Sequence, residues 1–279
     1  MIRGLLFLFF VITFVLCLFI TNDKKESYQN IEKKEILCFL TVRPSETFFE
    51  LCQRFTENYK VYVVVDDNSY RIPYPLNQDI TIVRVDSNEC YRAGFHSTVL
   101  YFQNKSCSRD KALYYFSKQK NLRYRYIWMI EEDVFIPCCN TLTDLDRKYK
   151  NADLLCKDSC RREEFPEWGH WQHSDRVIAY SNYRASIFSF TMICAVRISR
   201  RLLKDIHRFA SKYNQLFIDE LLFLTISTKN KRKIRFPEEM KHIYYIDDGK
   251  LIPEQKENVN KQNIYHPMKN IELQKFLQV

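Results

Sequence analysis

Residues 126–137, YIWMIEEDVFIP, run a fully apolar segment into three carboxylates and then return to apolar residues. Tyr126–Ile130 has the length and composition of a buried β-strand. Glu131, Glu132 and Asp133 follow it at once, and Val134-Phe135-Ile136 resumes the apolar pattern. Acids that interrupt a buried element are costly unless a cation or a set of donors neutralises them. Hard oxygen ligands of this kind suit Mg²⁺ or Mn²⁺. The plain alternative is a solvated strand-to-loop turn.

The flanking sequence predicts alternating strands and helices. Ile36–Val42 is a short strand stopped by Arg43-Pro44, and Ser45 caps a helix with Phe48, Phe49, Cys52, Phe55 and Tyr59 on its apolar face. Val61–Val65 (VYVVV) is a β-branched strand closed by Asp66-Asp67, and Ile80–Val85 is another. Ser108 caps a helix running to about Lys118, with Ala112, Leu113 and Phe116 inward. Ile187–Val196 reads as a strand. Ser199 opens a helix on Leu202, Leu203, Ile206 and Phe209, and a further helix covers about Leu216–Ile226. Apolar strands alternating with helices imply one α/β, Rossmann-like domain over 36–279 with a mainly parallel sheet. The tail past Asp247 is polar and is expected to wrap the surface.

In open sheets of this kind, ligands bind beyond the carboxyl ends of the strands. Both acidic clusters, Asp66-Asp67 and Glu131-Glu132-Asp133, fall at such ends. The stretch YIWMIEEDVFIP resembles the metal-binding acidic motif of nucleotide-sugar glycosyltransferases with the GT-A fold. The pieces that agree are Arg43-Pro44, Asp66-Asp67, Arg109-Asp110-Lys111-Ala112, the acidic triplet, Phe217-Ile218-Asp219-Glu220-Leu221-Leu222-Phe223 and a late His266-Pro267-Met268-Lys269. Glu131 stands where the first Asp of a DxD motif is usual, which leaves ligand assignment within the triplet open.

The resemblance implies a GT-A-like domain with Asp133 and His266 as ligands of Mn²⁺ or Mg²⁺. It implies that Glu131 and Glu132 contact ribose or metal-bound water, and that Asp66 receives the base or ribose. Arg43, Arg109, Lys111 and Lys269 become candidates to face the nucleotide-sugar donor. Asp219 or Glu220, at a helix start, would be the general base that activates a hydroxyl on a glycan or glycoprotein acceptor, with inversion. Trp168, His170 and Trp171, in the run EWGHWQH, offer aromatic faces for acceptor sugars. Each of these residues also has an ordinary reading as a surface charge, a helix cap or a packed aromatic. A binding or scaffold protein that has kept the fold and lost turnover is the second reading.

With 21 Phe, 18 Tyr and 46% hydrophobic residues in 279, the chain can bury a sizeable core. Four glycines leave no Gly-rich phosphate loop. The net charge of +9 has no basic stripe or zinc spacing behind it, so no nucleic-acid partner is expected. Leu5–Ile20 is unbroken by charge, near the lower length limit of a membrane span, and lacks a small-residue cleavage site. Residues 1–21 are therefore expected to be a signal anchor, and 22–35 a short polar stem. That layout resembles a single-pass type II protein of the Golgi or ER membrane with a lumenal catalytic domain. Nine of the ten cysteines lie beyond residue 21, a density that predicts some disulfides in an oxidising lumen.

Overall fold

The computed structural model describes residues 34–75, 77–97, 106–244 and 256–279. The expected anchor over 1–21 lies outside these residues, as do nearly all of the stem and the start of the tail. Among the described residues no helix is long and apolar enough to cross a membrane.

In chain order the elements are β1 (Glu35–Thr41), α1 (Glu46–Gln53), β2 (Tyr59–Val65), β3 (Ile80–Val83), α2 (Ser87–Arg92), α3 (Ser108–Lys118), β4 (Tyr126–Glu131) and α4 (Asn140–Lys148). There follow β5 (Leu154–Leu155), β6 (Cys160–Arg161), α5 (Trp171–Tyr180), β7 (Ser189–Phe190), β8 (Ala195–Ser199), α6 (Arg200–Tyr213) and α7 (Asp219–Lys229). The last are β9 (Ile234–Arg235), β10 (His242–Ile243), β11 (Tyr265–His266) and α8 (Ile271–Phe276).

The central sheet has the order β3-β2-β1-β4-β8-β5-β9. It is parallel from β3 through β4, as expected, while β8 runs antiparallel between β4 and β5. Successive side chains of a strand face opposite sides, which produces two cores. Ile36, Cys38, Leu40, Ile127 and Met129 pack with α3, α6 and α7. Leu37, Phe39, Val61, Val63, Trp128 and Ile130 pack with α1 and α4. With both faces covered, these strands carry no polar alternation, which is why they read as continuous apolar runs.

Registry aligns the carboxyl ends of the parallel strands. Thr41 pairs with Val65, and Leu40 with Glu131. Asp66 and the acidic triplet therefore emerge at one edge. Because β8 is antiparallel, its amino-terminal side meets the same edge, with Ala195 opposite Ile130.

Five expectations need correction. The run 187–196 is not one strand: Ser189–Phe190 pairs with β6, Ala195–Ser199 pairs with β4, and the residues between bridge to other parts of the chain. The cap of α3 is Cys107, not Ser108, and the Asp110 carboxylate accepts its backbone N–H at 3.1 Å. The helix expected from Leu216 starts at Asp219, because Ile218 is held at φ −48° and ψ 131°, outside helical geometry. The end of the tail is interior: Ile264, Tyr265, His266, Met268 and Leu277 are buried. The nine described cysteines are all free, so the expected disulfides are not formed among them. Five of them are buried, Cys38, Cys52, Cys90 and Cys156 completely.

Candidate active site

Arg109 organises the edge. It sits in the first turn of α3 and is buried, and its guanidinium bonds Glu131 Oε1 at 2.7 Å, Asp219 Oδ2 and the Ile193 carbonyl at 3.0 Å. One cation thus joins the end of β4, the start of α7 and the segment before β8. Arg109 stays charged against the penalty of its burial because Glu131 and Asp219 face it.

Asp219 and Glu220 occupy the first turn of α7. Burial works against ionised Asp219, but Arg109 outweighs it and holds the carboxyl below its ordinary value. Burial beside that negative charge pushes Glu220 well above its ordinary value, which favours its protonated form. The pair therefore holds one proton between two carboxyl groups. The Glu220 carbonyl accepts the Thr191 N–H at 3.1 Å, and this bond is one reason the strand expected over 187–196 breaks.

The acidic triplet is held from three sides. The Glu131 N–H donates to the Cys194 carbonyl at 2.8 Å. Glu132 accepts from the Thr41 hydroxyl. Burial and its acidic neighbours push Glu132 upward against that hydrogen bond. Asp133 Oδ1 stands 3.4 Å from His266 Nε2. Burial disfavours the charged His266 ring, and Asp133 more than offsets this and raises it. The other ring nitrogen, Nδ1, lies 2.8 Å from the Tyr244 carbonyl.

The tail locks this arrangement. Phe135 and Tyr265 exchange backbone hydrogen bonds, and the Met268 N–H donates to the Asp133 carbonyl at 2.7 Å. Gln274, buried on α8, donates to the carbonyls of Glu132 at 3.0 Å and Met268 at 2.8 Å.

Glu131, Cys194 and His266 each offer a ligand atom, and the three atoms lie within 4.8 Å of one another. A divalent cation fits this donor set. Its carboxylate and imidazole suit Mn²⁺, whereas the thiol of Cys194 is foreign to Mg²⁺. The reading from sequence missed Cys194, since a cysteine in an apolar run reads as core.

The other candidates fall in varied places. Lys111, 1% exposed, turns inward and binds the Asp66 carboxylate at 2.8 Å and its carbonyl at 2.6 Å. Like Arg109, it spends its charge on an acid of this edge. Arg43 is exposed and pairs with Asp67 at 2.7 Å. Lys269 is exposed just after Met268. Trp168 and Trp171 are buried. Trp168 stacks on Phe190 with centroids 4.3 Å apart and meets Trp171 edge-on at 5.0 Å. Their ring faces are largely taken up by this packing, while the Trp171 ring also borders a cavity of about 290 Å³ with Arg161, Arg162 and Glu164. His170 is half-buried beside Trp168. The cluster adjoins the carboxyl pair through Phe190, whose neighbour Thr191 bonds Glu220.

No family model and no curated protein matches the chain. Among solved structures it is similar to mouse xyloside xylosyltransferase 1 in the apo form, at 11% identity over 85% of this chain and 98% of that one, with a TM-score of 0.44. It is also similar to 2-C-methyl-D-erythritol 4-phosphate cytidylyltransferase from Thermus thermophilus, at 10% identity over 74% and 88%, TM-score 0.40. A third is 4-diphosphocytidyl-2C-methyl-D-erythritol synthase from Anaerococcus prevotii, at 9% identity over 74% and 88%, TM-score 0.40. The α/β assignment rests on the strand order, not on these likenesses.

Proposed function

We propose that the chain is a glycosyltransferase that moves a sugar from a nucleotide-sugar donor to a hydroxyl of a glycan or glycoprotein acceptor. The observation that carries this reading is the convergence of Glu131, Asp133, His266 and the Asp219–Glu220 pair on the edge where the parallel strands end. This is where an open α/β sheet binds ligands. A divalent cation held by Glu131 and His266, with Asp133 alongside, would neutralise the leaving diphosphate. Asp219 accepts the proton of the acceptor hydroxyl, and Glu220 carries the proton that the pair shares. Arg109 fixes the distance between Asp219 and the acids of β4. With Asp219 as the base, the reading is a single displacement with inversion. Lys269 and Arg43, the exposed cations, are assigned to the diphosphate and the nucleotide. The acceptor approaches along β7, past His170 and the Trp171 edge. Attachment to a Golgi or ER membrane through residues 1–21 belongs to the same reading.

The test is titration of the purified chain with UDP and GDP, with and without Mn²⁺. Metal-dependent nucleotide binding that is lost in Asp133→Ala is the expected result. Absence of binding for every nucleotide tried would sink the reading. Asp219→Asn should lower turnover by roughly 10²–10⁴-fold while leaving donor affinity in place. Wild-type turnover in Asp219→Asn would remove Asp219 from the base role.

One observation favours a second reading, a nucleotide- or glycan-binding protein without turnover. Arg109 holds Asp219 below its ordinary pKa, which weakens it as a base. Nucleotide binding with neither donor hydrolysis nor transfer would select that reading.

A further inference from the structure

We infer that the ion centre at this edge is a thiolate centre: Glu131, Cys194 and His266 together bind one divalent ion of the Zn²⁺ or Co²⁺ class, and Mg²⁺ does not occupy it. The three ligands come from three separate stretches of chain, the end of β4, the residue before β8, and β11. Backbone bonds weld these stretches together, Glu131 to Cys194 at 2.8 Å and Phe135 to Tyr265 at 2.9 and 3.0 Å. One donor atom of each then lies within 4.8 Å of the other two, a spread one ion can span after small side-chain movements.

The orientation of His266 agrees with ligation. A carbonyl oxygen can only accept, so its contact with Tyr244 puts a proton on Nδ1 and leaves Nε2, which also lies 3.4 Å from Asp133 Oδ1, as the atom offered to the ion once its own proton is displaced. Exposure agrees as well. Cys194 is 7% exposed and the His266 side chain 5%, whereas the Glu131 side chain is 35% exposed. Two ligands are interior and the third stands at the opening. Three protein ligands with one open side is the arrangement of catalytic rather than structural zinc. Asp133, 3.4 Å from Nε2, flanks that side.

Donor chemistry decides the ion. Mg²⁺ is bound by oxygen and keeps its waters, whereas thiolate and imidazole together select Zn²⁺ and its neighbours. On binding, the Cys194 S–H bond breaks, a metal–sulfur bond forms, and the proton passes to solvent. The inference rests on the site assigned above, but it is tested with metal alone. Absent nucleotide binding and absent sulfur ligation therefore fail separately.

The full chain, reduced and stripped with chelator, is titrated with Co²⁺. The expected result is a thiolate-to-cobalt charge-transfer band in the near ultraviolet that saturates at one ion per chain. It should vanish in Cys194→Ser, and His266→Ala and Glu131→Gln should weaken binding at least about tenfold. Zn²⁺ at equal concentration should remove the band, while excess Mg²⁺ should not. Cys138→Ser with Cys139→Ser should leave it intact. A band that survives Cys194→Ser, bound cobalt without any band, or no cobalt binding overturns the inference. Cadmium NMR of the wild-type chain needs no variant: a shift typical of one sulfur ligand supports the centre, and one typical of oxygen and nitrogen alone overturns it.

Discussion

Arg109 shows how a single residue can decide both stability and chemistry. Its guanidinium is the countercharge for Glu131 and Asp219 together. Arg109→Met should therefore destabilise the fold by about 3–5 kcal/mol, because two acids lose their buried partner. Urea unfolding measures this, and a loss under 1 kcal/mol would show that the acids find other partners. Arg109→Lys keeps the charge but not the fork, so it should recover only part of the loss. At this scale the sequence was partly legible. The triplet and His266 stand out because acids inside an apolar run and a late histidine need explaining. The partner of Arg109 was hidden, since an arginine in the first turn of a helix has the same local signature whether it faces solvent or an acid distant in sequence. Cys194 was hidden for the same reason. A thiol is apolar enough to pass as core, and only the pairing of its backbone with Glu131 distinguishes it.

Among the elements, legibility followed how much of the hydrogen bonding stayed local. β1, β2 and β4 read correctly because burial on both faces leaves an unbroken apolar run. α6 read correctly because Ser199 accepts from the Leu202 N–H and the apolar positions keep helical spacing. The span 187–196 failed because its backbone groups bond to Glu220, Arg109 and Glu131, none of which is near in sequence. A junction between elements yields a further prediction. Gly94, which follows α2, has φ +79°, and an added Cβ would stand 2.6 Å from the Ala210 carbonyl of α6. Gly94→Ala should destabilise the fold by more than about 1 kcal/mol, through left-handed strain and through the clash. A shift of the urea midpoint at constant slope checks this, and an unchanged midpoint would mean that α6 can move aside.

For the whole molecule, buried carboxyl groups and buried histidines contribute opposite slopes to the response to pH. Burial pushes Asp110 up to about 7 and Glu220 up to about 9. A carboxyl raised in the folded state keeps a proton that the unfolded chain releases at about pH 4. Its contribution to stability is complete below that point and is lost as pH rises to the folded value. Burial lowers His96, His173, His207 and His242, which contribute the opposite slope, so the carboxyl part is read by difference: relative to Asp110→Asn, the wild-type chain should lose stability as pH rises from 5 to 7. Unfolding midpoints across that range measure it, and a flat or rising difference contradicts it.

The lock supplied by β11 and α8 also has a consequence for biosynthesis. Thr41 and the acids are made early, whereas His266 and Gln274 leave the ribosome more than a hundred residues after Asp133. Until synthesis has passed His266, a nascent chain carries the three carboxylates with neither their histidine nor their clamp. Under the proposal of an ion centre, the acids therefore cannot assemble that centre until the distant residues of β11 and α8 have been made.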